Sequence, residues 1–262
     1  GFSPYLKNLT QAALNAGLQI NDWTVSPLAA SRAVLTPRQK ELGVALVDIG
    51  AGATSLAVFE EGDLIHLAIL PVGSSNITSD IAIGLRTDID TAERIKLEFG
   101  SCFLKGEKIG GKQFRTKKGK VKKAFSLSSR HKIQSTEDSL ALVFSQKFLV
   151  KIISARVSEI FDLINKELKK ISRAGLLPAG LALVGGGSKL FHIVDLAKKE
   201  FKLPARLGRI QGLYPSQEDS SLAVVAGLVL HGQDLEELDG TPLITSGDLA
   251  SKIKKIFRVF IP

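Results

Sequence analysis

The sequence predicts an α/β fold with a second, small α/β subdomain inserted into it, and three observations carry that prediction. Residues 43–49, 54–60 and 63–70 are apolar segments of strand length, and the last two are joined by the four-residue turn EEGD. Inside GLALVGGGSKL (180–190), a fourth apolar segment ends in three glycines and leads to a helical pattern over 192–201. Between them, Phe148, Leu149, Ile152, Ile153, Ile160, Phe161, Ile164 and Leu168 recur at three- and four-residue steps, the spacing of one apolar helix face running over 146–170.

The remaining elements follow in order. Residues 5–16 read as a helix with Leu6, Leu9, Ala13 and Leu14 on one face and Gly17 as its stop. A short strand is expected at 23–25. The stretch SPLAASRAVL (26–35) reads as a helix with Ser26 as N-cap and Pro27 at its first position, and its alanines suit close packing against another helix. After the meander, helices are expected at 74–85 and 88–100, the second starting at Asp90 or Thr91 and stopping at Gly100. A small sheet with a long mobile hairpin should follow, including a strand at 139–144, and Ser145 should cap the long helix. A strand at 205–207 and a helix at 220–230 complete the pattern, and the polar stretch 231–247 reads as a linker.

Composition narrows the function. With 262 residues, 44% of them hydrophobic, the chain can bury a substantial core, as one large domain or two modest ones. No apolar run reaches the roughly 18 residues that a membrane-crossing helix needs, and no secretory leader is visible. The single cysteine, Cys102, excludes an intramolecular disulfide and suits a reducing cytoplasm. The chain starts at Gly1 and contains no Met, so it reads as a portion of a longer protein. Its net charge of +9 is local: residues 104–132 hold eleven Lys or Arg and one acid, Glu107, which leaves 24 basic against 25 acidic residues elsewhere.

Two glycine-bearing turns carry the candidate chemistry. In DIGAGATS (48–55) the spacing is D-x-G-x-G-x-T. Gly50 and Gly52 can adopt positive φ and let backbone N–H groups approach an anion. Asp48 could hold the water shell of a magnesium ion, which typically takes only one or two carboxylates, and Thr54 could donate its hydroxyl to a phosphate. A plain hairpin turn with a surface aspartate has the same local signature. In VGGGSKL, Gly185, Gly186, Gly187 and Ser188 precede a helix, which permits close approach of an anionic ligand. A tight strand-to-helix connection is the competing reading.

The order of the two turns is more specific than either. A D-x-G-x-G-x-T hairpin, an α/β insertion and then V-G-G-G before a helix resembles the second half of an actin-like ATPase, with SPLAASRAVL and SSLAVVAGLVLHG in the places of the two connecting helices. Within that superfamily ELGVALVDIGAGATSLAVFEEGDLIHLAILPVG, ITSDIAIGLRTDIDTAERIKLEFGSC and LVGGGSKLFHIVDLAKKEFKLPARLG resemble the bacterial cell-division family FtsA, over nearly the whole chain. The resemblance implies an actin-like (ribonuclease H-like) ATPase domain with an inserted small α/β subdomain, and a chain lacking the family's first half. It implies ATP and magnesium as ligands, with Asp48, Gly50, Gly52 and Thr54 as the second phosphate motif and Gly185, Gly186, Gly187 and Ser188 as the adenosine motif. Glu93 and Lys96 match the helix that walls the adenosine side. Ala51, Ala53 and Ser55 stand where the family usually has Gly, Thr and Asp, so binding is expected over turnover, with at most slow hydrolysis and weak nucleotide affinity for this portion alone.

By the same resemblance, 1–42 are the end of a first domain and a connecting helix, 43–85 and 172–232 the core subdomain, and 86–171 the inserted subdomain with its basic hairpin at 104–132. Residues 233–247 are a linker and 248–262 an amphipathic membrane-targeting helix. The tail also reads that way from its residues: Ile253, Ile256, Phe257, Phe260 and Ile261 fall at helical spacing, with Lys252, Lys254, Lys255 and Arg258 on the remaining face. Its competing reading is a terminal helix docked on the protein's own core. The basic hairpin reads as a solvated loop, a surface for an acidic partner or a nucleic-acid binder, and no nucleic-acid motif accompanies it. In the family the inserted subdomain docks the C-terminal peptide of FtsZ, and Arg156, Lys147 and Lys151 match or neighbour that site. The implied function is an actin-like protein that polymerises and tethers FtsZ filaments to the inner face of the cytoplasmic membrane. A scaffold of type IV pilus assembly is the alternative.

Overall fold

In the computed structural model, which describes residues 3–104, 130–134, 141–213 and 219–238, three helices precede the first strand: α1 (Ser3–Asn15), α2 (Ser26–Val34) and α3 (Pro37–Leu42). Strands β1 (Val44–Ile49), β2 (Thr54–Glu60) and β3 (Asp63–Leu70) follow, then α4 (Ser74–Leu85) and α5 (Ile89–Phe99). Strands β4 (Arg130–Gln134) and β5 (Ala141–Ser145) lead to the long helix α6 (Gln146–Lys170). The rest comprises β6 (Leu181–Val184), a 3-10 turn (Gly186–Lys189), α7 (Ile193–Phe201), β7 (Ala205–Leu207), a second 3-10 turn (Ser220–Leu222) and α8 (Ala223–Leu238).

The main sheet has the order β3-β2-β1-β6-β7. Its first three strands are an antiparallel meander, whereas β1–β6 and β6–β7 are parallel, so Asp48 lies opposite Val184. Because strand side chains alternate faces, β1 feeds two cores. Ala45, Val47 and Ile49 join Leu56, Val58 and Leu183 under residues of α4, α5, α6 and α7. Val44 and Leu46 join Ala57, Phe59, Ala182 and Val184 under α2 and α8. Strands β4 and β5 form a separate two-stranded antiparallel sheet.

The alanines of α2 serve as expected: a Cβ placed on Gly227 of α8 would lie 1.7 Å from the carbonyl oxygen of Ala29, so the two helix backbones touch. Helix α6 has the predicted bounds, but Phe148 is 45% exposed, while Val150 and Val157 are buried in its place. Residues 23–25 form no strand and pair with neither edge of the sheet, β3 or β7. Val25 rather than Ser26 occupies the N-cap of α2, and Asp88 caps α5 by accepting from Thr91 N at 2.7 Å, ahead of the predicted Asp90 or Thr91.

Helix α3 was not expected, although Thr36 and Gln39 form a reciprocal capping box with Pro37 in the first turn. Helix α8 continues to Leu238, into the stretch read as linker. There Asp234 accepts two hydrogen bonds from Arg32 (2.7 and 2.8 Å), and His231 pairs with Asp22 at 2.8 Å. The hairpin residues 105–129 and the tail 239–262 lie outside the described residues.

Candidate functional site

The two glycine turns converge because β1 and β6 are adjacent and parallel, so both turns leave the same end of the sheet. The β1–β2 turn closes on the hydrogen bond from Gly50 N to Ala53 O at 2.9 Å. It is also held from one side by the first turn of α4: Ser74 N donates to Gly50 O and Ser75 N to Ala51 O, both at 2.9 Å. Gly73 permits this approach, since a Cβ there would lie 2.3 Å from Ala51 O. Asn76 Oδ1 in turn accepts from Gly73 N at 2.9 Å.

This arrangement orients the turn's donors. In a trans peptide the C=O and the following N–H point in opposite directions. With the carbonyls of Gly50 and Ala51 directed at α4, the N–H groups of Ala51 and Gly52 point away from it. A Cβ on Gly52 would meet nothing within 4 Å. Across the sheet end, a Cβ on Gly186 would also meet nothing within 4 Å. Among the described residues, no hydrogen-bond acceptor takes the N–H groups of Ala51, Gly52, Gly186 or Gly187. Two pairs of unpaired donors flanking an open space form a cradle for an anion.

Asp48 stands between the two turns. Its carboxylate abuts Gly185, where a Cβ would lie 2.3 Å from Asp48 Oδ1. Burial raises its pKa above the ordinary value, and no cation among the described residues offsets that shift. An unneutralised carboxylate beside an anion cradle fits a hydrated magnesium ion. No group of three or more His, Cys, Asp or Glu residues that could hold a metal occurs among the described residues, so an all-protein metal cage is absent there.

Several predicted residues play other parts. Neither Gly50 nor Gly52 has positive φ, because the turn closes without it; Gly185 does, at φ +83°. The Thr54 hydroxyl is fully buried and donates to Val72 O at 2.8 Å, so it ties β2 to the segment before α4 instead of facing a phosphate. Ser188 is buried as well: its Oγ donates to Gly185 O at 2.7 Å and lies 3.0 Å from Ser220 Oγ. Gly187 is required by packing, since a Cβ would fall 2.4 Å from Ile49 Cγ2.

Glu93 and Lys96 sit together on α5, 2.7 Å apart. Lys96 is buried at 7% exposure, with its Nζ 2.8 Å from Thr78 Oγ1 and 3.3 Å from Ser74 O, so it faces α4 and not an open cleft. Burial opposes ionisation of Glu93, but hydrogen bonds from Lys96 and Thr78 hold its carboxyl below the usual range. The residues that sequence reasoning missed are Gly73, Asn76 and Thr78. The GSSN stretch at 73–76 is a helix-start signal that could have pointed to the first two.

Lys147 and Lys151 are exposed on α6. Arg156 is engaged elsewhere: its guanidinium donates to both oxygens of Asp80 (2.6 and 2.8 Å) and to Glu159 (2.6 Å), which clamps α6 to α4. Those hydrogen bonds, that of Asp80 foremost, raise its pKa further. The predicted membrane residues lie outside the described residues, and no described helix is long and apolar enough to cross a membrane.

Comparison with known proteins agrees with this geometry. The crystal structure of MreB5 of Spiroplasma citri bound to AMPPNP superposes with a TM-score of 0.68 at 20% identity, over 89% of this chain and 66% of that one. The PilM–PilN type IV pilus biogenesis complex matches with a TM-score of 0.60 at 18% identity, over 87% of this chain and 57% of that one. These likenesses establish the actin-like fold. In sequence, cell division protein FtsA of Pseudomonas aeruginosa is 32% identical over 248 residues, covering 92% of this chain and 54% of the relative. The chain thus spans about half the length of the curated relatives it matches. The family model described as cell division protein FtsA matches residues 45–227, and the chain belongs to the FtsA family of cell-division proteins.

Proposed function

We propose that this chain is the nucleotide-binding part of an actin-like cell-division protein that polymerises and tethers FtsZ filaments to the inner face of the cytoplasmic membrane at the division site. The observation that carries the reading is the double cradle, with unpaired N–H groups at Ala51–Gly52 and Gly186–Gly187 on either side of the unneutralised Asp48. Unpaired backbone donors beside a carboxylate suit the phosphates of MgATP. Asp48 would hold magnesium through its water, and the ion would offset phosphate charge. Ser55 pairs with Asp48 across the β1–β2 ladder, and a hydroxyl is a poor general base. Binding with little or no turnover follows.

The remaining roles are assigned to parts of the chain. Residues 43–85 and 172–232 are proposed as the core subdomain, and 86–171 as the inserted one. Lys147 and Lys151, exposed beside Phe148 on α6, are proposed to dock the FtsZ C-terminal peptide, while Arg156 braces the helix beneath them. Residues 248–262 are proposed to lie in the plane of an anionic membrane surface, where each basic residue contributes about 1 kcal/mol. The pilus-scaffold alternative has likeness of fold in its favour, whereas the family match favours cell division.

Calorimetric titration with MgATP tests the central claim. Saturable binding that disappears in Asp48→Ala is expected, and a wild-type chain with no binding refutes the reading. Liposome sedimentation tests the tail: a chain ending at Gly247 that pellets as well as the intact one overturns the membrane role.

A further inference from the structure

We propose that Thr78 is a positioning residue for the phosphate-facing turn, the central atom of a buried bridge that ties α5 to the first turn of α4. The inference rests on the nucleotide reading and deepens it. Thr78 is 4% exposed and lies one turn into α4. Its Oγ1 accepts from Lys96 Nζ at 2.8 Å and donates to Glu93 Oε2 at 2.5 Å, so its single proton and one lone pair are both used. Lys96 adds a bond to Ser74 O at 3.3 Å. Two side chains of α5 therefore meet on one hydroxyl of α4, and one of them reaches on to the α4 backbone at Ser74.

What they hold is the end of α4 that sets the turn. Ser74 and Ser75 donate to the carbonyls of Gly50 and Ala51, and those two peptide planes direct the N–H groups of Ala51 and Gly52 into open space. If α4 rotates or frays at its first turn, the carbonyls lose their donors and the donor pair of the cradle loses its aim. Glu93, with 41% of its side chain exposed, carries the bridge from the buried hydroxyl to the surface of α5.

Thr78→Val keeps the shape and removes the hydroxyl. Thr78→Ser keeps the hydroxyl. Both are made in the full chain and examined by hydrogen exchange without ligand and by calorimetric titration with MgATP and with magnesium tripolyphosphate. Loss of about 1–1.4 kcal/mol of bracing corresponds to a five- to tenfold change. In Thr78→Val, exchange at the Ser74 and Ser75 amides should quicken by that factor. Affinity for both ligands should fall equally, because the phosphate turn is common to them, and Thr78→Ser should behave as wild type.

If Thr78 only supports packing, the valine variant loses melting temperature but keeps both affinities and the slow exchange at Ser74 and Ser75, which overturns the proposal. Weakened MgATP with unchanged tripolyphosphate also overturns it. A wild-type chain that binds neither ligand defeats the nucleotide reading instead, and the exchange rates still decide the bracing. Should Thr78→Val not fold, Thr78→Ala removes the same hydroxyl with a smaller side chain, and the same outcomes apply.

Discussion

A methyl group added at successive glycines of VGGGSK should separate folding from binding. At Gly185 the backbone stands at φ +83°, ψ 167°, a region that side chains of L-residues cost about 1–3 kcal/mol to enter. The added Cβ would also lie 2.3 Å from Asp48 Oδ1 and 2.5 Å from Ile49 O, and the backbone atom cannot step aside without parting β1 from β6. Overlap of this kind costs about 1–3 kcal/mol more. Together these approach much of the roughly 5–15 kcal/mol that holds a domain folded. At Gly186 nothing lies within 4 Å and φ is not positive, so stability should hold or rise by about 0.4–1 kcal/mol.

The same methyl at Gly186, however, projects into the space on which the unpaired N–H groups open. MgATP affinity should drop about tenfold there, equivalent to about 1.4 kcal/mol. Urea denaturation and calorimetric titration of Gly185→Ala, Gly186→Ala and Gly187→Ala read the two effects separately. Gly187→Ala should lie between, because φ is not positive there but the Cβ would fall 2.4 Å from Cγ2 of the buried, β-branched Ile49, which has little room to turn. The reasoning is refuted if Gly186→Ala binds MgATP like wild type, or if it is destabilised as much as Gly185→Ala.

Thr54→Val leaves the Val72 carbonyl without its buried donor and should cost about 1–3 kcal/mol in urea denaturation; unchanged stability with weakened MgATP would return Thr54 to a phosphate role. For Asp48, burial raises the folded pKa, so the stability contributed by this group is present below 3.8 and is lost as pH rises through the folded value. Asp48→Asn should therefore melt higher than wild type at neutral pH, lose that advantage below pH 3.8 and fail to bind MgATP; equal melting at pH 7 would contradict the uncompensated carboxylate. Arg156→Lys gives up the two-pronged bond to Asp80 at a cost of about 0.5–1 kcal/mol while sparing FtsZ-peptide affinity, which the pair Lys147→Ala, Lys151→Ala should weaken. Peptide titrations that reverse this order would move the docking site to Arg156.

The parts of the fold that were legible in sequence are those governed by local spacing. The meander was readable almost to the residue, because strand-length apolar runs and the EEGD turn act within a few positions. The long helix was readable because its apolar stripe is continuous over seven turns' worth of sequence. Helix α3 was equally local, in the Thr36–Gln39 capping box, and was overlooked. By contrast, the end of α8 depends on Arg32 and Asp22, some two hundred positions away, and nothing local marks it.

The candidate site divides along the same line. The sequence by itself determined which turns could face a ligand, since Asp48 and the glycines mark close approach, and it located both at strand ends. Only the tertiary structure decided which atoms remain free to do so. Thr54, Ser188 and Lys96 have ligand-binding chemistry, yet each is satisfied by a partner 18, 3 or 18 positions away once the chain folds. An N–H or O–H spent on a buried partner is not available to a ligand, and which ones are spent is set by how the chain folds rather than by residue type. The free donors are backbone N–H groups, which every residue but proline carries and whose direction at Ala51 and Gly52 comes from α4 holding the opposite ends of their peptide planes.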